Sequence, residues 1–203
     1  NGDRVFWIMK YDTILQRTGL DLELSQDERL YDAQSVTADF LTEHIDSAFT
    51  VWQQNWNKQY SFEMFCRYVL PYRIGNEKTS FWRRTFTVPS WVREAYAPNQ
   101  DNSTYAYGMA NDILGGMRSV IYYPPQFLPD LPLTALEHVK SASCKEYAHL
   151  CVAVLRAHGL PATIDFTPQW GNRGLGHEWC VFFPDNHSFI PFNPGERLGD
   201  HFM

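Results

Sequence analysis

The stretch SCKEYAHLCVAVLRAHG, residues 143–159, decides the fold of this chain and contains its candidate nucleophile. Ser143 and Glu146 have the spacing of a capping box, in which each side chain binds the backbone N–H of the other residue at a helix start. The box predicts that Cys144 is the first helical residue. The following run is apolar on most sides, which is typical of a helix enclosed by a domain. Gly159 is a typical helix end.

Extended segments follow this helix. The residue pattern predicts strands over 162–167, 177–183 and 188–193. Pro184-Asp185-Asn186 supplies turn residues, so the last two strands are predicted to form an antiparallel hairpin. Alternation along the second strand places His177 and Trp179 on one face. The glycine-rich link at 171–176 precedes a strand rather than a helix, which argues against phosphate binding and favours the border of a cleft.

The part of the chain before residue 125 has helical patterns. Aromatic and apolar residues recur at helical spacing over 38–56, and Ser61 is a candidate cap for a helix that ends before Pro71. Further helix starts are predicted at 89–91 and 101–103, and a proline-rich connector at 123–132. We therefore expect a helical region, residues 1–124, packed on an α+β core, residues 125–203.

Composition narrows the class of protein. The chain has 203 residues, of which 44% are hydrophobic and 16% aromatic, and its formal net charge is −6. With this acidic balance and no run of Lys or Arg, nucleic acid and anionic membrane surfaces are not expected partners. No apolar stretch approaches the ~20 residues of a membrane helix. The chain begins at Asn1 rather than Met, so we expect it to be a piece of a larger, multidomain protein.

The four cysteines do not resemble a disulfide framework or a zinc site. No pair has C-x-x-C spacing, and Cys144 and Cys151 fall two turns apart on one helix, about 10 Å along its axis. Cys66, Cys151 and Cys180 are interpreted as buried, inert thiols, although a Cys66–Cys180 disulfide stays possible on sequence alone. A metal site built on Cys144, His149 and Cys151 is not expected, because these side chains lie on different helix faces. No metal or cofactor is predicted.

Four short motifs carry a family resemblance. They are CKEY at 144–147, LRAHGLPA at 155–162, HEW at 177–179 and IPFNP at 190–194. Together they resemble the core of the transglutaminase-like superfamily, which is related to papain. LPYRIGNE at 70–77 and WR at 82–83 resemble a helical segment that precedes this core in some bacterial members. The resemblance implies a central cysteine helix packed on an antiparallel sheet.

The resemblance also implies a triad of Cys144, His177 and Asn193. A helix N-terminus stabilises a thiolate, and an imidazole can take the thiol proton and return it to a leaving group. Asn193 would orient the imidazole through its other nitrogen, as the amide does in a Cys-His-Asn triad. The family usually has Asp at this position. Asp165 is the reserve acidic partner, although its strand precedes His177.

The segment that contains Tyr72, Arg73 and Trp82 has two interpretations. These side chains, with Trp179, could line a substrate cleft. Alternatively, salt bridges of Arg73 and Arg83 with Glu77 could hold the helical region against the core, and this structural interpretation is favoured because such pairs commonly fix subdomain interfaces. His138, His149 and His158 are interpreted as helix-surface residues.

The favoured function is hydrolysis of a peptide or other amide bond through a thioester on Cys144. The substrate would be a peptide, protein or glycoprotein. The family also implies amine acceptors, that is, protein cross-linking. Two alternatives from other classes are a catalytically idle module that binds peptide or glycan, and a scaffold within a cell-surface protein. An extracytoplasmic location is implied by the family likeness alone.

Overall fold

A computed structural model of the chain describes residues 32–87, 90–96, 103–117, 121–122, 132–139, 141–169, 171, 174 and 176–199. Its helices are α1 Asp32–Ser35, α2 Ala38–Trp52, α3 Phe62–Tyr68, α4 Trp82–Thr85, α5 Ser90–Tyr96, α6 Ser103–Met117, α7 Leu133–Val139 and α8 Cys144–Ala157. The starts of α5 and α6 confirm the predicted helix starts. In the described part, no helix has both the length and the apolar character that crossing a bilayer requires.

The strands form two small sheets. β1 Ile121–Tyr122 and β2 Ser141–Ala142 pair in parallel. The other sheet has the order β3-β4-β5 and is antiparallel, with β3 Ala162–Thr167, β4 His177–Phe182 and β5 Ile190–Phe192. The predicted hairpin is therefore confirmed, with both of its strands shorter than expected.

Helix α8 begins and ends as its residues predict. Ser143 N–H donates to Glu146 Oε2 at 2.9 Å, and Glu146 N–H donates to Ser143 Oγ at 3.2 Å, which completes the capping box. At the other end, Gly159 has a φ of +78°, a conformation that costs glycine little. A Cβ there would lie 2.0 Å from Asn57 Nδ2, so this helix end is also closely packed.

Helix α8 packs on the antiparallel sheet. Every residue from Tyr147 to Ala157 is buried, as expected of an enclosed helix. Cys180 of β4 donates its thiol hydrogen to the carbonyl of Ala148 at 3.5 Å, and Cys180 and Phe182 are fully buried. A central cysteine helix on an antiparallel sheet confirms the expected α+β fold.

Helix α2 ends earlier than its pattern predicts. Thr37 caps the helix through Phe40 N–H, and the helix stops at Trp52 rather than at Trp56. A 3₁₀ turn at residues 55–57 follows and sends the Trp56 indole into the core, where Nε1 donates to the carbonyl of His158 at 3.1 Å. This tertiary hydrogen bond outweighs the helical periodicity of the sequence, because a buried indole N–H needs a partner.

The helical region and α8 share one hydrophobic cluster. Trp56, Tyr60 and Trp82 belong to the same buried cluster as Leu155. Ser61 caps α3, as predicted, although that helix ends at Tyr68 rather than Leu70. The connector at 123–132 lies outside the described residues except for its last position. The boundary between residues 124 and 125 therefore stays a prediction.

Candidate active site

Cys144 differs in its surroundings from the buried thiols. It is the first residue of α8 and is half-buried, whereas Cys151 and Cys180 are buried. Burial, with a hydrogen bond to Cys151, raises the pKa of the Cys180 thiol. Cys66 and Cys180 are both free, so the disulfide that the sequence left open is not formed.

His177 and Asn193 meet at one end of the sheet. His177 opens β4, and Asn193 directly follows β5. The distance from His177 Nε2 to Asn193 Oδ1 is 3.4 Å. Asn193 Nδ2 donates to Glu196 Oε2 at 3.2 Å, which turns the amide oxygen toward the imidazole. The sequence interpretation missed Glu196; its spacing of three residues after Asn193, across a glycine turn at Gly195, is the signal that could have identified it.

Trp179 and Asp165 lie on the same sheet face as His177. The ring centroids of His177 and Trp179 are 6.1 Å apart, with the planes tilted by 33°. Asp165 is directly opposite Trp179 in the register and is exposed. One of its oxygens accepts the N–H of Phe166 at 2.8 Å. Asn193 thus contacts His177 Nε2. Asp165 lies on the same face, but it is opposite Trp179 rather than opposite His177.

The predicted substrate residues of the helical region have structural partners. Tyr72 Oη donates to Asp32 Oδ2 at 2.8 Å, and Arg73 Nε donates to the same oxygen at 3.0 Å. The hydrogen bond from Arg73 lowers the pKa of Asp32. Trp82 is 1% exposed, and its Nε1 donates to the carbonyl of Tyr72 at 3.0 Å. The cleft role predicted for Trp82 is therefore wrong, because its ring offers no surface to a ligand.

Arg83 holds the two parts of the molecule together, but not through Glu77. Its Nη1 donates to the carbonyl of Arg156 at 3.1 Å. Its Nη2 donates to the carbonyls of Leu70 and Pro71 at 3.2 and 3.1 Å. The favoured structural interpretation of this segment is consistent with these contacts, whereas the predicted Arg83–Glu77 salt bridge is replaced by bonds to backbone carbonyls.

Glu77, His149 and Glu178 form a second group, called here the carboxylate–histidine cluster. His149 Nδ1 lies 3.4 Å from Glu77 Oε2, and His149 Nε2 lies 3.0 Å from Glu178 Oε2. Burial opposes ionisation of Glu77, but hydrogen bonds from His149 and from the N–H groups of Ile74 and Gly75 outweigh it and lower its pKa to about 2.

Two helix-surface predictions are wrong. His149 is 2% exposed, and so is His158, whose Nδ1 lies 2.7 Å from the carbonyl of Val154. His149 lies on α8 and His158 directly follows it. Because this helix is buried on all sides from Tyr147 to Ala157, periodicity cannot distinguish an outer face. The side chain of His138 lies outside the described residues.

The structure thus brings His177 and Asn193 together and places Cys144 at the N-terminus of the helix that packs on their sheet. An approach of the Cys144 sulfur to the His177 imidazole stays a prediction. Within the described ranges, no group of three or more His, Cys, Asp or Glu side chains is arranged to hold a metal ion.

Comparisons with known proteins place the chain in context. The model of the transglutaminase-like superfamily matches residues 89–194, just over half of the chain. No curated protein matches the chain. One solved structure, described as a "putative cysteine protease" from Cytophaga hutchinsonii, is similar at 14% identity with a TM-score of 0.36. That match covers 57% of this chain and 42% of the other, so less than half of that protein's length is spanned.

Proposed function

This chain belongs to the transglutaminase-like superfamily, and from that premise we propose that it is a thiol-dependent hydrolase that cleaves a peptide or other amide bond through a thioester on Cys144. The observation that carries the proposal is the 3.4 Å contact between His177 Nε2 and Asn193 Oδ1. An amide oxygen only accepts hydrogen bonds, so Nε2 carries the hydrogen. Nδ1 is then the basic nitrogen of the neutral ring.

Glu196 determines which end of the Asn193 amide faces His177. An asparagine amide can in principle present either its oxygen or its NH₂ group to an imidazole. Because Asn193 Nδ2 donates to Glu196 Oε2 at 3.2 Å, the oxygen is the atom that faces His177. Asn193 therefore selects one tautomer of the imidazole, which is the task of the third member of a triad.

The position of Cys144 suits a nucleophile. Backbone N–H groups at a helix start, together with the helix dipole, favour negative charge on the sulfur. The capping box engages the N–H groups of Ser143 and Glu146. The N–H of Cys144 lies outside the box, and we assign it as a donor to the oxyanion that forms during acyl transfer.

The reaction then has two halves. The Cys144 sulfur attacks the substrate carbonyl carbon while His177 Nδ1 takes the thiol proton. The imidazolium returns this proton to the leaving nitrogen, the C–N bond breaks, and a thioester forms on Cys144. Water gives a proton to Nδ1 as it attacks the thioester, and the thiol leaves with that proton. Trp179, beside the imidazole, is assigned to the substrate cleft.

An alkylation experiment tests the activated thiol. The rate of iodoacetamide reaction at Cys144 is followed against pH by mass spectrometry in the parent and in His177→Ala. At pH 6.5 an ordinary thiol is only about 1% ionised, so an imidazole-paired thiolate can react up to about 100-fold faster. Cys66, also half-buried but in α3, is the internal control within the same sample. We expect a fast Cys144, a slow Cys66, and loss of the difference in His177→Ala.

An unactivated Cys144 would favour the binding-module function over the hydrolase. If Cys144 alkylates like Cys66 at every pH and is unaffected by His177→Ala, the chain is a binding module for peptide or glycan. Turnover is tested with p-nitrophenyl acetate, which acylates a reactive thiol and releases p-nitrophenolate. Adding glycinamide, a weaker primary-amine nucleophile, then separates transfer from hydrolysis: an enzyme that uses amine acceptors forms N-acetylglycinamide above the rate in His177→Ala, whereas a hydrolase yields acetate.

A further inference from the structure

We propose that His149 is a positioning residue of this site: through Glu178 it ties the strand that carries His177 to the helix that carries Cys144. The inference rests on the proposed function, and it goes beyond the triad. His149 itself contacts neither the sulfur nor the imidazole of that triad in this assignment. It acts on the backbone that presents them.

A side-chain contact connects helix α8 to strand β4. His149 belongs to α8, which begins at Cys144, and Glu178 is the residue after His177 in β4. Alternation turns the Glu178 side chain to the face opposite His177, where α8 packs. The 3.0 Å contact from His149 Nε2 to Glu178 Oε2 therefore joins the two elements one residue away from the proposed base.

Two carboxylates flank the ring of His149. A carboxylate oxygen faces each of its ring nitrogens, at 3.4 Å from Glu77 and 3.0 Å from Glu178. The carboxylate oxygens accept any hydrogen that either ring nitrogen carries, so the ring is held from both sides. Hydrogen bonds to an ionised carboxylate are shorter and stronger than those between neutral groups.

Glu77, the other carboxylate, is itself anchored to the backbone. Glu77 accepts hydrogen bonds from the backbone N–H groups of Ile74, at 3.0 Å, and Gly75, at 2.8 Å. Gly75 also lies directly against the imidazole, because a Cβ there would be 2.3 Å from His149 Cε1. The segment 74–77 thus holds His149 in one orientation, and it links the helical region to the site.

Another bond between α8 and β4 is weaker than the one between His149 and Glu178. Cys180 donates to the carbonyl of Ala148 at 3.5 Å, and a thiol is a weak donor. The contact between His149 and Glu178 is the stronger of the two and lies nearer to His177. Small displacements matter at such a site, since a shift of about 1 Å in a reacting group can lower a rate by about 100-fold.

The experiment uses the whole chain with three variants: His149→Gln, Glu178→Ala and Glu178→Gln. The probes are p-nitrophenyl acetate, for kcat and KM, and iodoacetamide, for the Cys144 thiol. We expect His149→Gln and Glu178→Ala to lower kcat about 10- to 100-fold while KM changes less than about twofold. Glu178→Gln retains an oxygen that accepts the His149 hydrogen, so it should keep at least about a third of the parent kcat.

A matched control separates positioning from stability. His44 is also 2% exposed and is bound through Nε2 to a backbone carbonyl, that of Ser80 at 3.1 Å, but it lies in α2. His44→Gln should lower the melting temperature and leave kcat and Cys144 alkylation unchanged. If His149→Gln does not fold, the partly exposed Glu178 still allows the comparison of Ala with Gln.

The outcomes are distinct. Parent-like kcat in folded His149→Gln or Glu178→Ala, or an equal loss of kcat in His44→Gln, would overturn the positioning role and leave the proposed function intact. If Cys144 alkylation in the parent does not depend on His177, the proposed function fails, and the positioning role fails with it. Recovery of kcat by Glu178→Gln over Glu178→Ala supports the role.

Discussion

Two histidines of this molecule lie on adjacent elements and have opposite surroundings. His149 is buried between two carboxylates, at 3.4 and 3.0 Å. His177 is half-buried, and its Nε2 is bound by a neutral amide oxygen at 3.4 Å. Two carboxylates hold a buried ring from both sides, whereas an amide orients a ring without adding charge. The first environment suits a structural tie between elements, and the second suits the general base that we propose.

The largest effect should come from removing the charge of Glu77. Its folded-state pKa of about 2 lies below the ordinary 4.5, so its stabilisation is present above pH 4.5 and is lost as the pH falls toward 2. The shift corresponds to about 3 kcal/mol. Glu77→Gln should remove this acid-dependent loss, measured by urea unfolding at pH 5 and pH 2.5.

A matched carboxylate controls this measurement. Glu63 in α3 pairs with Arg67, but both side chains are well exposed, so Glu63→Gln should leave the acid dependence unchanged. Equal behaviour of the two variants would show that the carboxylate–histidine cluster does not stabilise the fold.

Gly75→Ala should have the next largest effect. The added Cβ would lie 2.3 Å from the His149 ring, which cannot turn away without leaving a carboxylate. Overpacking of this kind costs about 1–3 kcal/mol. Thermal unfolding measures the cost, and Gly116→Ala in α6 is the control, since nothing lies within 4 Å of its added Cβ. Parent-like stability of Gly75→Ala would mean that the ring is loosely held.

Giving His177 a carboxylate partner would bring its site closer to that of His149. Asn193→Asp alone places this carboxylate against Glu196 Oε2, the atom that Asn193 Nδ2 contacts at 3.2 Å, so like charges should limit the gain to less than about twofold. Asn193→Asp with Glu196→Gln removes the repulsion. The double variant should raise Cys144 alkylation at pH 6 about tenfold, which corresponds to about 1.4 kcal/mol. Equal rates in the two variants would show that Glu196 does not orient residue 193.

The smallest expected effect on stability concerns a third histidine, His44, which is buried and whose Nε2 is bound to a backbone carbonyl rather than to a carboxylate. Burial, with the charge of Arg83, lowers the pKa of His44 to about 4, so this ring is neutral at pH 7. Its folded pKa lies below the unfolded 6.5, and its stabilisation is therefore lost as the pH falls from 6.5 toward 4. His44→Gln should reduce the drop in stability between pH 7 and pH 5 by about 1 kcal/mol, allowing for solvent near the ring. An unchanged drop in thermal unfolding would contradict a neutral His44.

Much of the fold could be predicted because its signals are local. The capping box of Ser143 and Glu146, the helix end at Gly159 and the hairpin turn each depend on residues a few positions apart. The helix cap at Ser61 and the start of α6 also depend on near neighbours in the chain. The end of α2 could not be predicted, since the bond that ends the pattern joins Trp56 to His158.

The candidate site was only partly predictable. Cys144, His177 and Asn193 were predicted as a triad from short motifs, but the contacts of Glu196 and of His149 were not predicted. Glutamate is most often a surface residue, so Glu77 and Glu178 were not predicted as partners of His149, nor Glu196 as a partner of Asn193. The helix that carries His149 is apolar on most sides, so its pattern did not show whether His149 is exposed or buried. The cleft interpretation of Trp82 stayed open on sequence alone, because an aromatic residue serves burial and binding equally well until its neighbours are known.

The sequence by itself determined where the cysteine helix begins and ends and which strands follow it, because hydrogen bonds between near neighbours and alternation along the chain specify these features. Only the tertiary structure decided which imidazole is enclosed by carboxylates and which is oriented by an amide. Charge and solvation at a side chain depend on groups that arrive from distant parts of the chain, and Glu77, His149 and Glu178 meet only when the helical region, the helix and the sheet have packed together.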